Sequence, residues 1–211
     1  MKKLLLASAL LLTTIAIYSF TSGKGDTCPA EGKQKKGKAE LKPREQNLNK
    51  HINRNSVPAE GDFDYKATTD KMYNSKDDSI WSEEKAGKIT GYYFKAVDDG
   101  AASCNCYTDD NTKYSTKIYI SVTPVDKNTR MADCIVAVIT PYSRSLHPEW
   151  TADNLNSKMG GNKVTISGWL IYDYLHSAVS IETNSNSSKP ERRTIWGICP
   201  VTSVVSVTAV G

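Results

Sequence analysis

The sequence predicts a mainly β protein. The expected core is an OB-like five-stranded Greek-key barrel with one short helix, over residues 80–211. Three observations lead there. From about residue 80 the apolar residues recur with period two, as in half-buried strands. The one good helix candidate, periodic and capped, lies between the third and fourth strong strand patterns. The order of strands, one helix, then two strands is that of a small closed barrel. A small open sheet with one helix packed on it would give the same string.

The strand signals run in order. Lys88–Val97 centres on Tyr92, Tyr93 and Phe94, residue types that suit a pleated, half-buried surface. Just before it, Ser82–Ala86 reads as one or two helical turns, capped by Ser82 and stopped by Gly87. Asp98-Asp99-Gly100 is a turn, and an extended piece then carries Cys104 and Cys106. In Thr116–Thr123, Ile118, Ile120 and Val122 alternate with polar positions, so one face is buried. Cys134–Ile139 is apolar on both faces, as a central strand would be.

Thr151 can cap the helix, Asp153 suits its positive end, and Gly160-Gly161 stops it. Asn162–Tyr172 is the next strand, with Gly168 marking a bulge or close approach. A Ser- and Asn-rich loop from Glu182 to Arg192 separates it from a last strand that starts at Thr194. Pro200 interrupts that strand, and Val201–Val210 resumes it.

The front of the chain reads differently. Lys2 and Lys3, an apolar run from Leu4 to about Phe20, and the small residues Thr21, Ser22 and Gly23 have the order of a secretory signal peptide over 1–23. A retained membrane anchor is the alternative. The apolar run is marginal in length for a span, so cleavage and export, to periplasm or medium, is the expectation. Cys28 lacks the apolar and small residues that precede a lipidated cysteine.

Residues 24–54 hold nine Lys/Arg against four Asp/Glu, a net +5, while 55–211 is net −3. The basic segment has few large apolar residues and is expected to be a disordered leader. It is either a solvated linker or an arm that touches an acidic partner. Residues 55–79 are expected to be an extended lead-in.

Charge and motifs limit the function. An acidic barrel lacks the phosphate-neutralising groove of a nucleic-acid binder, so nucleic acid is not the expected partner of the domain. The rings of Tyr119, Trp169 and Tyr174 suit a soluble protein or polysaccharide ligand better. No Gly-x-Ser-x-Gly or His-Glu-x-x-His motif is present.

Asp173 and His176 form the one acid–imidazole pair placed for proton transfer. With Arg193, they would be the polar centre of a cation-dependent hydrolase of nucleic acid or another phosphoester. Asp109, Asp110 and Arg192 complete the residues available to that chemistry. Cys104, Cys106, His176 and Cys199 could supply S and N ligands to zinc, although Cys-x-Cys is not a finger spacing; no cofactor is otherwise expected. Five cysteines leave at least one unpaired within the chain. If Cys28 is the odd one, a bridge from Cys104 or Cys106 to Cys134 or Cys199 is the simplest pairing, with buried free thiols as the alternative.

Three stretches together resemble a family of uncharacterised exported bacterial OB-like domains. The first comprises Gly91-Tyr92-Tyr93, Cys104-Asn105-Cys106 and Ile139-Thr140-Pro141. The second is Ser167-Gly168-Trp169-Leu170-Ile171-Tyr172-Asp173-Tyr174-Leu175-His176, and the third runs from Arg193-Thr194-Ile195-Trp196 through Pro200-Val201-Thr202. The likeness spans roughly residues 53–206. That family's pattern carries Glu at the position of Gly197, His at that of Cys199, and an acid or His within 107–115. The resemblance therefore implies a fold and an altered or lost polar site, and it implies no activity. The leading expectation is an exported, non-enzymatic binding module. The hydrolase and an envelope protein attached through its basic leader are the alternatives.

Overall fold

A computed structural model describes residues 28–75, 77 and 79–207. The signal peptide expected over 1–23 and the end of the last strand pattern lie outside the described residues.

Five strands close into one barrel: β1 (Ala86–Asp98), β2 (Thr116–Ser121), β3 (Cys134–Ile139), β4 (Lys163–Tyr172) and β5 (Trp196–Ser206). Their order around the barrel is β1-β2-β3-β5-β4, and β4 returns to β1. All pairings are antiparallel except β3 with β5. This is the OB-like barrel the strand string predicts.

Alternation sorts the side chains. Ile118, Ile120, Ile135, Ala137, Ile166 and Ile198 point into the barrel and are fully buried or nearly so. Trp196 is packed edge-on by Trp81 and Tyr172, with ring centroids 5.3 and 5.1 Å away. At Pro200 the β4–β5 register shifts near Gly168, so the residue that cannot donate to the ladder sits at the irregularity.

Helix α4 (Ala152–Met159) lies between β3 and β4 in sequence, capped by Thr151 Oγ1 accepting from the Asn154 amide. Leu155 inserts into the core. Asn156 fixes the helix to a bulge in β1: its Oδ1 accepts from the Ala96 amide at 2.7 Å and from Tyr93 Oη at 3.0 Å, and its Nδ2 donates to the Ala96 carbonyl. These bonds satisfy Ala96 backbone groups on the edge of β1 where its pairing with β4, which ends at Tyr92, has run out.

Around the barrel the structure differs from the expectations. Ser82–Ala86 is a turn that runs into β1, not a helical piece. Residues 103–105 form a single 3-10 turn, and Cys106 and Tyr107 take positive φ, so Cys104 and Cys106 do not share a strand face. The lead-in 55–79 contains a 3-10 turn and helix α2 (Thr69–Tyr73), and a further helix, α3 (Pro141–Leu146), follows β3.

The largest difference concerns the basic segment, expected to be disordered. Residues 28–54 pack on the barrel and include helix α1 (Pro43–Ile52). Pro43 starts it, the Glu45 carboxylate accepts from the Lys42 amide at 2.8 Å, and Lys50 and His51 lie at its negative end. Leu48 and Ile52, one turn apart, cover Ile171 and Cys199 on the outside of β4 and β5. A disulfide joins Cys28 to Cys106, with Cα atoms 5.6 Å apart. A few apolar residues suffice because side-chain hydrogen bonds and a covalent tie add to them. Asn53 Nδ2 bonds the carbonyls of Ala30 and Cys104, and Asn49 Nδ2 bonds that of Glu31.

Candidate functional site

The β1–β2 loop (99–115) leaves the barrel at the end where β3 finishes and the β4–β5 loop (173–195) at the opposite end, and both approach the outer face of β3, β4 and β5, where α1 lies between them. These three elements enclose a cavity of about 100 Å³. Leu48, Asn49 and Ile52 form its roof. Val138, Ile171 and Cys199 form a floor from the outer face of β3, β4 and β5. Asp99, Ser103, Cys104 and Lys117 line one wall, and Asp173, Leu175, His176 and Arg192 the other.

The charged groups in the walls are paired with one another. Asp173 opens the β4–β5 loop, its amide bonded to the Ile195 carbonyl at 2.9 Å. Arg192, 3% exposed, donates from Nη1 to Asp173 Oδ2 at 2.6 Å and from Nε to the Thr194 carbonyl at 2.8 Å. His176 Nδ1 lies 2.7 Å from the same carboxylate oxygen, off the line of a hydrogen bond. Burial alone would raise the Asp173 carboxyl, but the His176 contact and the Arg192 charge hold it at about 2. Across the cavity, Lys117 Nζ pairs with Asp99.

The two thiols behave differently from the acids. Burial, with the Asp99 charge second, pushes Cys104 up to about 11, and burial pushes Cys199 well above the ordinary thiol range. Both are protonated at neutral pH and are weak nucleophiles.

The structure thus brings together five residues singled out in the sequence: Cys104, Asp173, His176, Arg192 and Cys199. It separates others. Cys106 is bonded to Cys28, so it is no thiolate ligand, and the pairing is neither of those expected for it. Cys104, Cys134 and Cys199 are free thiols. Among the described residues no group of three His, Cys, Asp or Glu side chains is arranged to hold a metal ion, which corrects the zinc set of Cys104, Cys106, His176 and Cys199.

Arg193 faces away. It pairs with Glu182, and its guanidinium lies 4.6 Å from the Tyr73 ring centroid. Its neighbour Arg192 holds the place instead, because adjacent residues of an extended segment point to opposite sides. Asp109 and Asp110 do not line the cavity, and Asp110 is engaged with Thr112.

The proposed binding rings are not open faces. Tyr119 is 5% exposed and packs with Cys134 and Val136. Trp169 donates from Nε1 to the Ser56 carbonyl and lies under the Arg54 guanidinium at 4.3 Å. Tyr174 lies under that of Arg44 at 4.0 Å. Lys117 and the roof residues of α1 had no local sequence signal for a site.

Positions 197 and 199, where the chain departs from the resembled pattern, lie on this side of the barrel. A Cβ at Gly197 would stand 2.3 Å from the Val136 carbonyl oxygen and 3.4 Å from Arg192 Nη2. The close β3–β5 approach requires glycine there. No protein-family model matches the chain, and no match is found among curated proteins. Among the described residues no helix is long and apolar enough to cross a membrane.

Proposed function

We propose that the chain is an exported, non-enzymatic binding module whose ligand enters between the β1–β2 and β4–β5 loops. The observation that carries this reading is the cavity that α1 roofs. It lies on the outer wall of a closed barrel where the β1–β2 and β4–β5 loops converge, the loop pair with which barrels of this architecture engage extended ligands. Its lining combines an apolar floor and roof with a few polar groups, the composition of a recognition pocket. Its volume is small, so a protein segment or a sugar unit enters as α1 lifts.

The chemistry of the walls speaks for binding over hydrolysis. Asp173 is engaged by Arg192 and His176 and is a weak base with its carboxyl held at about 2. The neighbouring thiols are protonated. A polar centre of Asp173, His176 and Arg193 is not assembled, since Arg193 belongs to another contact.

The test is an NMR titration of the folded, oxidised protein with soluble peptidoglycan and capsular oligosaccharide fragments and with mixed peptides, beside phosphodiesterase assays with and without EDTA. Amide shifts confined to 99–115, 173–195 and α1 are expected. A metal-stimulated activity abolished by Asp173→Asn would sink the proposal in favour of a hydrolase.

A further inference from the structure

We propose that the basic segment carries a second, preformed site: a lysine ridge, centred on residues 35–38, that docks an acidic polysaccharide. The roofed cavity plays no part in it.

The ridge is built by a turn. The Lys38 amide donates to the Lys35 carbonyl at 3.0 Å, and Gly37 takes φ +82°, which places Lys36 and Gly37 at the corners and lysines at both ends. Lys35, Lys36, Lys38 and Lys42 are exposed, and their ammonium groups have no ion-pair partner among the described residues. Glu31 is already paired with Lys50, and the Glu45 carboxylate accepts from the Lys42 backbone, which leaves Glu40, among the described residues, as the acid lining the ridge without such an engagement.

Two open concavities, of about 460 and 430 Å³, flank the ridge and share Gln34, Lys35, Lys38 and Glu40. The segment does not trail in solvent. It is tied down by the Cys28–Cys106 disulfide, by the Lys33 amide bonded to the Ser103 carbonyl, and by α1. Its positive charge therefore belongs to the folded body, which holds 24 Lys/Arg and 22 Asp/Glu over 28–207.

The surroundings select the partner. A membrane surface would call for an apolar side chain beside the lysines to insert, and Leu41 is buried. A nucleic acid would call for open rings to stack its bases, and the neighbouring Tyr107 is half-buried with its hydroxyl bonded to Gln34. The grooves also hold the carboxylates of Glu31, Glu40 and Glu45, two of them already engaged, and beside these the amides and the more numerous ammonium groups match the hydroxyls and carboxylates of a uronic-acid chain. Fixed charges lose less freedom on binding than those of a flexible arm.

The experiment measures binding of the oxidised protein to an oligogalacturonate by calorimetry, with dextran, anionic phospholipid vesicles and single-stranded DNA as comparators. Binding to the uronate is expected, weakening as salt rises from roughly 0.05 to 0.3 M, with none to dextran. The triple variant Lys35→Glu, Lys36→Glu, Lys38→Glu is expected to weaken it about tenfold or more. Gly37→Val keeps every charge but disfavours the turn, and is expected to weaken it about threefold. Wild-type affinity in the charge-reversed protein, or in Gly37→Val, would overturn the proposal. Tighter binding to the vesicles or the DNA would also overturn it and name the other partner. Because none of these variants touches the cavity, the outcome is separate from that of the titration above.

Discussion

Asp173 and Arg192 open and close the same long loop, and a 2.6 Å ion pair joins them across its base. Arg192 is almost wholly buried, so the pair acts as a clasp that holds the β4–β5 loop in one arrangement over the barrel. Removing one partner leaves the other buried without its counter-charge. Arg192→Ala is therefore expected to cost about 3 kcal/mol, whereas Arg193→Ala, at a contact nearer the surface, costs about 1 kcal/mol or less. Urea denaturation of the two variants checks this, and equal losses would remove the clasp.

The same pair sets an acid limb. The Asp173 carboxyl is depressed to about 2, so its ionised form favours the folded state at every pH above the ordinary carboxylate range. That contribution, about 2 kcal/mol, is lost as pH falls from about 4 through about 2. The stability difference between the wild type and Asp173→Asn is expected to shrink by that amount over this window. A difference independent of pH would show that the carboxyl is not depressed.

Thiol counting tests the cysteine assignment. Three thiols, those of Cys104, Cys134 and Cys199, should react in denaturant. In the folded protein at pH 8 they should react slowly, because burial raises all three, with Cys104 at about 11 and Cys134 at about 12. Five reactive thiols in denaturant would refute the Cys28–Cys106 bond.

Removal of residues 28–54 is expected to destabilise the barrel by at least about 3 kcal/mol, on the order of 10 °C in melting temperature. It deletes the disulfide that closes a separation of 78 residues and bares Ile171 and Cys199. Unchanged melting would show the segment to be the solvated linker that its composition suggests.

Gly197→Ala should open the seam between β3 and β5, where the parallel register pairs Gly197 with Val136. Strand carbonyls cannot move aside as a flexible side chain can, so a loss of about 2 kcal/mol is expected. Hydrogen exchange of the β3 and β5 amides reads it directly.

Several features were legible in the sequence. The edges of Cys134–Ile139 are as the apolar run places them, and Thr151 and Gly160 bound α4 as cap and stop. Both signals are local, one a burial pattern and the other cap chemistry. The fate of the basic segment was not legible from its average composition. Pro43, Glu45 and the Leu48–Ile52 spacing did mark a helix, yet α1 draws much of its support from Ser103, Cys104 and Cys106, more than fifty residues away. The choice between Arg192 and Arg193 was equally hidden, since it depends on which way one residue of a loop faces.

Alternating apolar residues and one capped helix, by themselves, determined a small rolled sheet, because side-chain direction along a strand is set by backbone geometry alone. Tertiary structure decided which cysteine Cys28 bonds, which arginine meets Asp173, and that the lysine-rich segment folds at all. Those outcomes depend on distances between parts of the chain that only closure of the barrel brings together.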